Sequence, residues 1–270
     1  MDNNKPIGIF DSGLGGLTCV KEVMKLLPNE NIIYFGDTSR VPYGTRSGET
    51  IVKYVRQDIN FLKTHDIKMI IIACGTASAT ALDAVRGDYD MEILGVVAPA
   101  CNEAVKRSKN KKIGILGTLG TINSGKYREH IHEIDGTIEV ISQACPMFVP
   151  LVENGYSSGE IPTLVARDYL KPLRDAGVDT VILGCTHYPL LTDVIYDVLG
   201  RNITLVDAGK SAALNAAERL AQLGLENKSD KPGVVQYFVS DNAPNFSTLG
   251  GMFLEREINN NVRKIDIEEY

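Results

Sequence analysis

Short apolar runs recur along the chain, separated by stretches whose apolar positions follow helical spacing. The runs Ile7–Phe10, Asn31–Phe35, Met69–Ala73, Ile93–Val97, Lys112–Leu116, Thr137–Ile141, Thr180–Leu183, Ile203–Val206 and Val234–Val239 predict strands. Most are near-continuous rather than alternating, as expected of parallel strands buried on both faces. Between them, Ile51, Val55, Ile59 and Leu62 mark one helical face, and Ala212, Ala213, Ala216, Ala217, Leu220 and Leu223 mark another. This alternation predicts an α/β protein of doubly wound parallel sheets joined by right-handed crossovers. So many strands crowd one such sheet and sit comfortably in two.

The chain also repeats itself. Ile7-Gly8-Ile9-Phe10-Asp11-Ser12 resembles Ile113-Gly114-Ile115-Leu116-Gly117-Thr118, and Ile70-Ile71-Ile72-Ala73-Cys74 resembles Val181-Ile182-Leu183-Gly184-Cys185. The two matches come in the same order at nearly equal offsets. They predict two similar parallel-sheet domains related by a pseudo-two-fold axis, with a cleft between them. No Ser/Gly-rich linker separates the halves, so the connections between them are expected to be short and well packed.

Composition narrows the function. At 270 residues, with 44% hydrophobic and 23% charged residues, the chain reads as an ordinary globular protein of two average domains. Its net charge is −6 and its 28 Lys and Arg are scattered, which argues against nucleic acid as a partner. The longest apolar run, Met69 to Cys74, falls far short of the ~18 residues of a membrane span. No apolar signal region follows Met1, so a cytoplasmic location is expected and no membrane partner. Five cysteines, an odd number with no C-x-x-C pair, predict free thiols rather than a disulfide framework. The histidines lie away from the cysteines except for Cys185 and His187, so no metal site is expected.

In open parallel sheets, ligands bind beyond the carboxyl ends of the strands. Four polar clusters sit there: Asp11 to Gly16, Asp37 through Pro42-Tyr43-Gly44, Cys74-Gly75-Thr76, and Cys185-Thr186-His187-Tyr188-Pro189. The first is not a dinucleotide fingerprint, because the G-x-G-x-x-G spacing is absent and Asp11 would repel a pyrophosphate. It does supply backbone N–H groups at a helix start, suited to a carboxylate. Cys74 and Cys185 are the sharper signal, since each follows a buried strand at equivalent points of the repeat. A helix N-terminus is expected to lower both thiol pKa values from ~8.5 toward neutrality, and His187 is placed to share the proton of Cys185. Two such thiols facing one cleft present a base to each side of a bound molecule. Taking a proton from one face and returning one to the other inverts a stereocentre, with no cofactor required. Cys19, Cys101 and Cys145 lack this setting and are expected to be packing residues, while His65, His130 and His132 are expected to be solvated.

With these residues in place, the chain resembles the bacterial glutamate racemases of the cofactor-independent aspartate/glutamate racemase superfamily. The resemblance runs through Phe10 to Thr18, Gly36-Asp37 with Val41 to Gly44, Ala73 to Ala77, Gly117-Thr118 with Gly120-Thr121 and Ser124, Val149 to Glu153, and Gly184 to Leu190. It implies Cys74 and Cys185 as the two acid/base residues, with Asp11 assisting Cys74 and with Glu153 and His187 assisting Cys185. It implies a substrate site of Asp11, Ser12, Pro42, Tyr43, Gly44, Gly75, Thr76, Thr118, Thr121, Thr186 and His187, with no metal and no cofactor. It also implies a discontinuous first domain, residues 1–98 plus 210–270, around a second domain, residues 99–209. A homodimer acting on glutamate, and supplying D-glutamate for peptidoglycan, completes what it implies. Gly75 departs from the family, which usually carries Asn there, so a side-chain amide that could touch the substrate is lost. No long extension precedes Ile7 in this sequence, so the family's nucleotide-activator site is not expected.

Other readings share these features. A racemase of aspartate or another small acidic amino acid differs from the first by about one methylene, worth only ~1–3 kcal/mol in a pocket. A two-lobed binding protein would also have a cleft, but the paired thiols and the missing signal segment argue against it. A redox sensor would join Cys74 and Cys185 in a disulfide on mild oxidation, whereas a racemase needs both reduced.

Overall fold

A computed structural model describes residues 3–258 and 262–270, apart from the side chain of Asn245. The strands are β1 (Ile7–Asp11), β2 (Ile32–Gly36), β3 (Met69–Ile72), β4 (Glu92–Gly95), β5 (Lys112–Gly117), β6 (Glu139–Ala144), β7 (Thr180–Leu183), β8 (Thr204–Asp207), β9 (Val235–Val239) and β10 (Val262–Lys264). They form two sheets, β10-β9-β2-β1-β3-β4 and β6-β5-β7-β8, and every paired neighbour is parallel. The order β2-β1-β3-β4 in one sheet is repeated as β6-β5-β7-β8 in the other. The sequence repeat is therefore a repeat of topology, with β9 and β10 added to the free edge of β2.

The predicted strands are present, with corrected ends. β4 stops at Gly95, and Val97 already opens the helix Val97–Arg107. The sixth strand starts at Glu139 and runs on to Ala144 rather than spanning Thr137–Ile141. β10 is new: Val-Arg-Lys carries a single apolar residue, too little for a periodic signal, and is held by pairing with β9.

β1, β2, β3 and β7 are buried at every residue, which explains their unbroken apolar sequences. The helix Gly48–Lys63 covers one face of the first sheet with Ile51, Val55, Ile59 and Leu62 inward, as their spacing predicts. Ser47 caps it by accepting the Thr50 N–H at 3.3 Å. On the opposite face the helix Ala208–Leu223 packs against Leu17–Leu26 and Val97–Arg107. Its Ala212, Ala213, Ala216 and Leu220 are buried, but Leu223 in its last turn is 45% exposed, contrary to the face predicted for it. Small residues let this helix approach closely, and a Cβ on Gly209 would lie 3.3 Å from Cys19 Cα. The apolar core on this side runs without a break from Ile7, Ile9 and Met69 under the first sheet to Ile113, Ile115 and Val181 in the second. Among the described residues, no helix is long and apolar enough to cross a membrane.

In each sheet the chain crosses from one side of the first strand to the other, so a switch point lies between β1 and β3 and another between β5 and β7. The carboxyl ends at these switch points carry Asp11 and Ser12, Cys74, Gly117 and Thr118, and Cys185.

Candidate active site

The helix Gly75–Val85 starts at once beyond β3, and Cys74 is its cap residue in an extended conformation. Its Sγ accepts the Ala77 N–H at 3.5 Å, and the thiol donates to Ser12 Oγ at 3.6 Å. Cys74 is buried, and burial together with the nearby Asp11 carboxyl pushes its thiol up to about 12, outweighing the Ala77 and Ser12 hydrogen bonds that pull the other way. The expectation that the helix N-terminus lowers this thiol is thus overturned. A single N–H at 3.5 Å does not compensate for the lost water.

Cys185 follows β7 in a turn leading to the short 3₁₀ segment Tyr188–Leu191, so it has no α-helix N-terminus beside it, contrary to expectation. What it has is an imidazole. Cys185 Sγ lies 3.9 Å from His187 Nδ1, and His187 Nε2 lies 2.9 Å from Glu153 Oε1. Burial disfavours the imidazolium, but the hydrogen bonds to Cys185 and Glu153 and their negative charge win, raising the His187 pKa from 6.5 to about 10.

Asp11 closes β1 and lies buried beneath the cavity rather than on its wall. The Gly13 N–H donates to its Oδ2 at 3.0 Å, and Thr186 Oγ1 donates to its Oδ1 at 3.4 Å. The turn amides that looked suited to a ligand carboxylate are therefore partly taken by the chain's own Asp11, whose pKa burial raises. Thr18 Oγ1 donates to the Thr186 carbonyl at 2.9 Å, a second tie between the sheets that the sequence did not single out. Thr76, Thr118 and Thr121 form a triangle of hydroxyls with edges of 2.8, 3.2 and 3.0 Å, Thr76 coming from one lobe and the other two from its counterpart.

A cavity of about 290 Å³ lies between the two sets of strand ends. Ser12, Pro42, Tyr43, Gly44, Cys74, Gly75, Thr76, Thr118, Glu153, Cys185, Thr186 and His187 all line it. Of the residues singled out from sequence, Asp11 and Thr121 stand behind this lining. Tyr43 contributes wall rather than hydroxyl: its Oη is engaged by Asp37 and, at 3.0 Å, by Asp58. Val41, Leu119, Pro146, Val149 and Pro150 add an apolar portion of the wall. Isolated apolar residues in loops carry no chemical signature, so sequence reasoning passed over Leu119 and Pro146, whereas Val41, Val149 and Pro150 lie inside matched segments. Gly75 is confined: a Cβ there would overlap the Gly184 carbonyl oxygen of the facing strand end. All five cysteines are free and buried, which agrees with the packing role expected for Cys19, Cys101 and Cys145. Among the described residues, no group of three or more His, Cys, Asp or Glu is placed to hold a metal ion.

Residues 17–216 match the Asp/Glu/Hydantoin racemase family model. The chain belongs to this family. It is 46% identical over 250 residues to a glutamate racemase from Geobacter metallireducens, which covers 93% of each chain. Its structure is similar to that of a glutamate racemase isoform from Bacillus anthracis, with a TM-score of 0.94, 35% identity and 98% of each chain covered. It is similar too to a glutamate racemase from Francisella tularensis in complex with D-glutamate, with a TM-score of 0.92, 38% identity, and 99% and 100% of the two chains covered.

Proposed function

We propose that this chain is a glutamate racemase, interconverting L- and D-glutamate by a two-base reaction between Cys74 and Cys185. One observation carries the reading. Two buried thiols on the carboxyl ends of different sheets line the same cavity, each with its own proton-handling partners. One sulfur, as thiolate, takes the α-proton, and the electron pair left on Cα is held by delocalisation into the adjacent carboxylate. The other sulfur, as thiol, delivers its proton to the opposite face. Each cycle leaves the two protonation states exchanged and inverts the centre. Family membership and the D-glutamate held by the Francisella relative support glutamate as the substrate.

Hydroxyl and backbone N–H donors line the cavity and suit the two carboxylates of the substrate, and among the described lining residues there is no lysine or arginine. Ser12, Gly44, Gly75, Thr76, Thr118 and Thr186 are the groups we assign to substrate binding, with His187 at the Cys185 side. Asp11 and Thr121 support them from behind. Glu153 orients His187, and no step calls for a cofactor. Sheet membership supports a first domain of residues 1–98 plus 210–270 and a second of residues 99–209. A homodimer in the cytoplasm, making D-glutamate for peptidoglycan, belongs to the same reading.

The test is incubation of the reduced protein with each enantiomer of glutamate in deuterated water, following optical rotation and the α-proton NMR signal. Loss of rotation from both enantiomers, with deuterium entering Cα, is expected. A folded, reduced sample that neither inverts nor exchanges would overturn the proposal. Aspartate turned over faster than glutamate would reassign the substrate.

A further inference from the structure

Behind the Pro42–Gly44 wall lies a buried cluster of charge: Asp37 after β2, Arg40, Tyr43, and Asp58 on the helix Gly48–Lys63. Asp37 and Asp58 are fully buried, and Arg40 is nearly so. Arg40 donates from Nε to Asp37 Oδ2 at 2.6 Å and from Nη2 to Asp58 Oδ1 at 3.0 Å. Ser240 Oγ donates to Asp37 Oδ1 at 2.9 Å. Tyr43 Oη lies in hydrogen-bond contact with Asp37 Oδ2 and 3.0 Å from Asp58 Oδ2.

The hydrogens do not suffice for two carboxylates. A phenol has one proton, and burial beside both carboxyls holds that of Tyr43 in place, its pKa well above the ordinary 10. That proton can bridge to only one of its two carboxyl neighbours, so the second oxygen–oxygen contact needs a hydrogen from elsewhere. Asp37 already receives Arg40 and Ser240 and is the natural acceptor of the phenol. Among the described residues Asp58 Oδ2 has no other hydrogen-bond donor, so its contact with Tyr43 closes only if Asp58 brings the proton. We infer that Asp58 is a neutral carboxylic acid that donates to Tyr43 Oη, and that this fixed proton positions the Tyr43-Gly44 wall of the substrate cavity.

Charge agrees with the count. Arg40 is a single cation for two acids, stacked at 4.1 Å on the Tyr54 ring and 3.6 Å from the exposed Glu268. Burial, then the charge of Asp37, drives the Asp58 carboxyl well above the usual range, with Asp11 adding in the same direction against Arg40 and the Tyr43 hydrogen bond. Asp58 touches no substrate in this scheme. It is a positioning residue, and its role in turnover rests on the racemase reading.

Asp58→Asn tests the inference, because an amide keeps both the donor to Tyr43 and the acceptor for Arg40. Asp58→Ala removes both, and Asp37→Asn removes the charge that Arg40 requires. In infrared difference spectra at neutral pH, wild type minus Asp58→Asn should contain the carbonyl stretch of a protonated carboxyl. That signal needs no activity, so it stands apart from the choice of substrate. Asp58→Ala should raise the KM for glutamate about tenfold, the cost of one buried hydrogen bond, with a smaller change in kcat. Asp58→Asn should restore both constants and the wild-type Tm, and Asp37→Asn should restore neither. If Asp58→Ala fails to fold, the contrast between Asp58→Asn and Asp37→Asn decides. An ionised-carboxylate band lost in Asp58→Asn, or damage from Asp58→Asn equal to that from Asp37→Asn, would overturn the inference.

Discussion

The two halves of the cavity share a topology and differ in their chemistry. Cys74 and Cys185 occupy equivalent places, after the third strand of the same four-strand order. Yet Cys74 is hydrogen-bonded by a hydroxyl and a backbone N–H above a buried carboxyl, whereas Cys185 adjoins an imidazole tied to a glutamate. Burial and a carboxyl neighbour favour the thiol at Cys74, while the neighbour of Cys185 is an imidazole whose own pKa is raised to about 10. The duplicated fold supplies two positions facing one substrate, and the symmetry is broken by Asp11, which stands where the other half carries Gly117, and by His187 with Glu153. In a two-base racemase the sulfurs exchange protonation states with every turnover, so each side needs its own means of handling the proton.

The largest effect expected is from deleting either sulfur. Cys74→Ala and Cys185→Ala should each lower racemisation by at least ~10²–10⁴-fold, the usual worth of a positioned acid or base. The equilibrium constant between enantiomers is one, so kcat/KM must fall equally in both directions, and the halves must be told apart by isotope exchange. Each variant should retain α-proton exchange with only the enantiomer whose hydrogen faces the remaining sulfur. Equal exchange with both enantiomers in either variant would show that one sulfur serves both faces.

Next come the partners, where the halves should diverge. His187→Asn removes the cation beside Cys185 and should lower kcat/KM by about 10²-fold, the lower end for acid–base assistance. It should also slow alkylation of Cys185 by iodoacetamide near neutral pH while leaving Cys74 unchanged. Asp11→Asn acts oppositely. Removing a carboxyl that raises the Cys74 thiol should speed its alkylation at alkaline pH and spare Cys185. Peptide mapping of the alkylated sites reads both results, and a shift shared by both sulfurs would mean that the two environments are electrically one.

This divergence marks where sequence stopped informing. The strand order followed from unbroken apolar runs and a repeat, because burial on both faces of a parallel strand leaves that mark on every residue. Both cysteines were legible for the same reason, sitting at the ends of such runs. Their electrostatics were not. Whether the cap N–H or burial dominates at Cys74 depends on how much water the facing lobe excludes, and that lobe lies a hundred residues away in the chain. β10 escaped because edge pairing needs only backbone, and Val-Arg-Lys has no pattern to show. Asp58 escaped because a lone acid in the amphipathic helix Gly48–Lys63 reads as surface, until the fold places Arg40 and Tyr43 over it.

Gly75 sharpens the comparison at the seam itself. Its counterpart on the other half of the repeat is Thr186, so the same position is bare on one side and substituted on the other. The Gly184 carbonyl occupies the space a Cβ would need at Gly75, and it is backbone, which cannot swing aside. Gly75→Ala should wedge the lobes apart, with a cost near the ~1–3 kcal/mol of overpacking seen as roughly a tenfold or greater loss of kcat/KM. Buried Cys74 and Cys185 should then alkylate faster together, unlike the one-sided shifts above. Gly75→Ala with unchanged activity and unchanged thiol reactivity would mean that the lobes part freely at this point.

The smallest effects are in the pH dependence of stability, and they separate the halves without any substrate. The His187 pKa is raised from 6.5 to about 10, so the fold binds this proton more tightly than the unfolded chain does. Its contribution is fully present below pH 6.5 and fades as pH climbs to about 10. The Tm gap between wild type and His187→Asn should therefore be widest, by a few degrees, below pH 6.5, and should close toward pH 10. For Cys74 the thiol ionises near 9.0 when unfolded and near 12 when folded. Below pH 9 it contributes no pH dependence, and above it the unfolded state alone gains by losing the proton, so stability falls. Cys74→Ser, whose hydroxyl does not titrate, should run parallel to wild type up to pH 9 and fall less steeply beyond. Two variants at matched places in the repeat would then diverge from wild type in separate pH windows. If both windows coincided, the opposite charges assigned to the two sides of the cavity would be wrong.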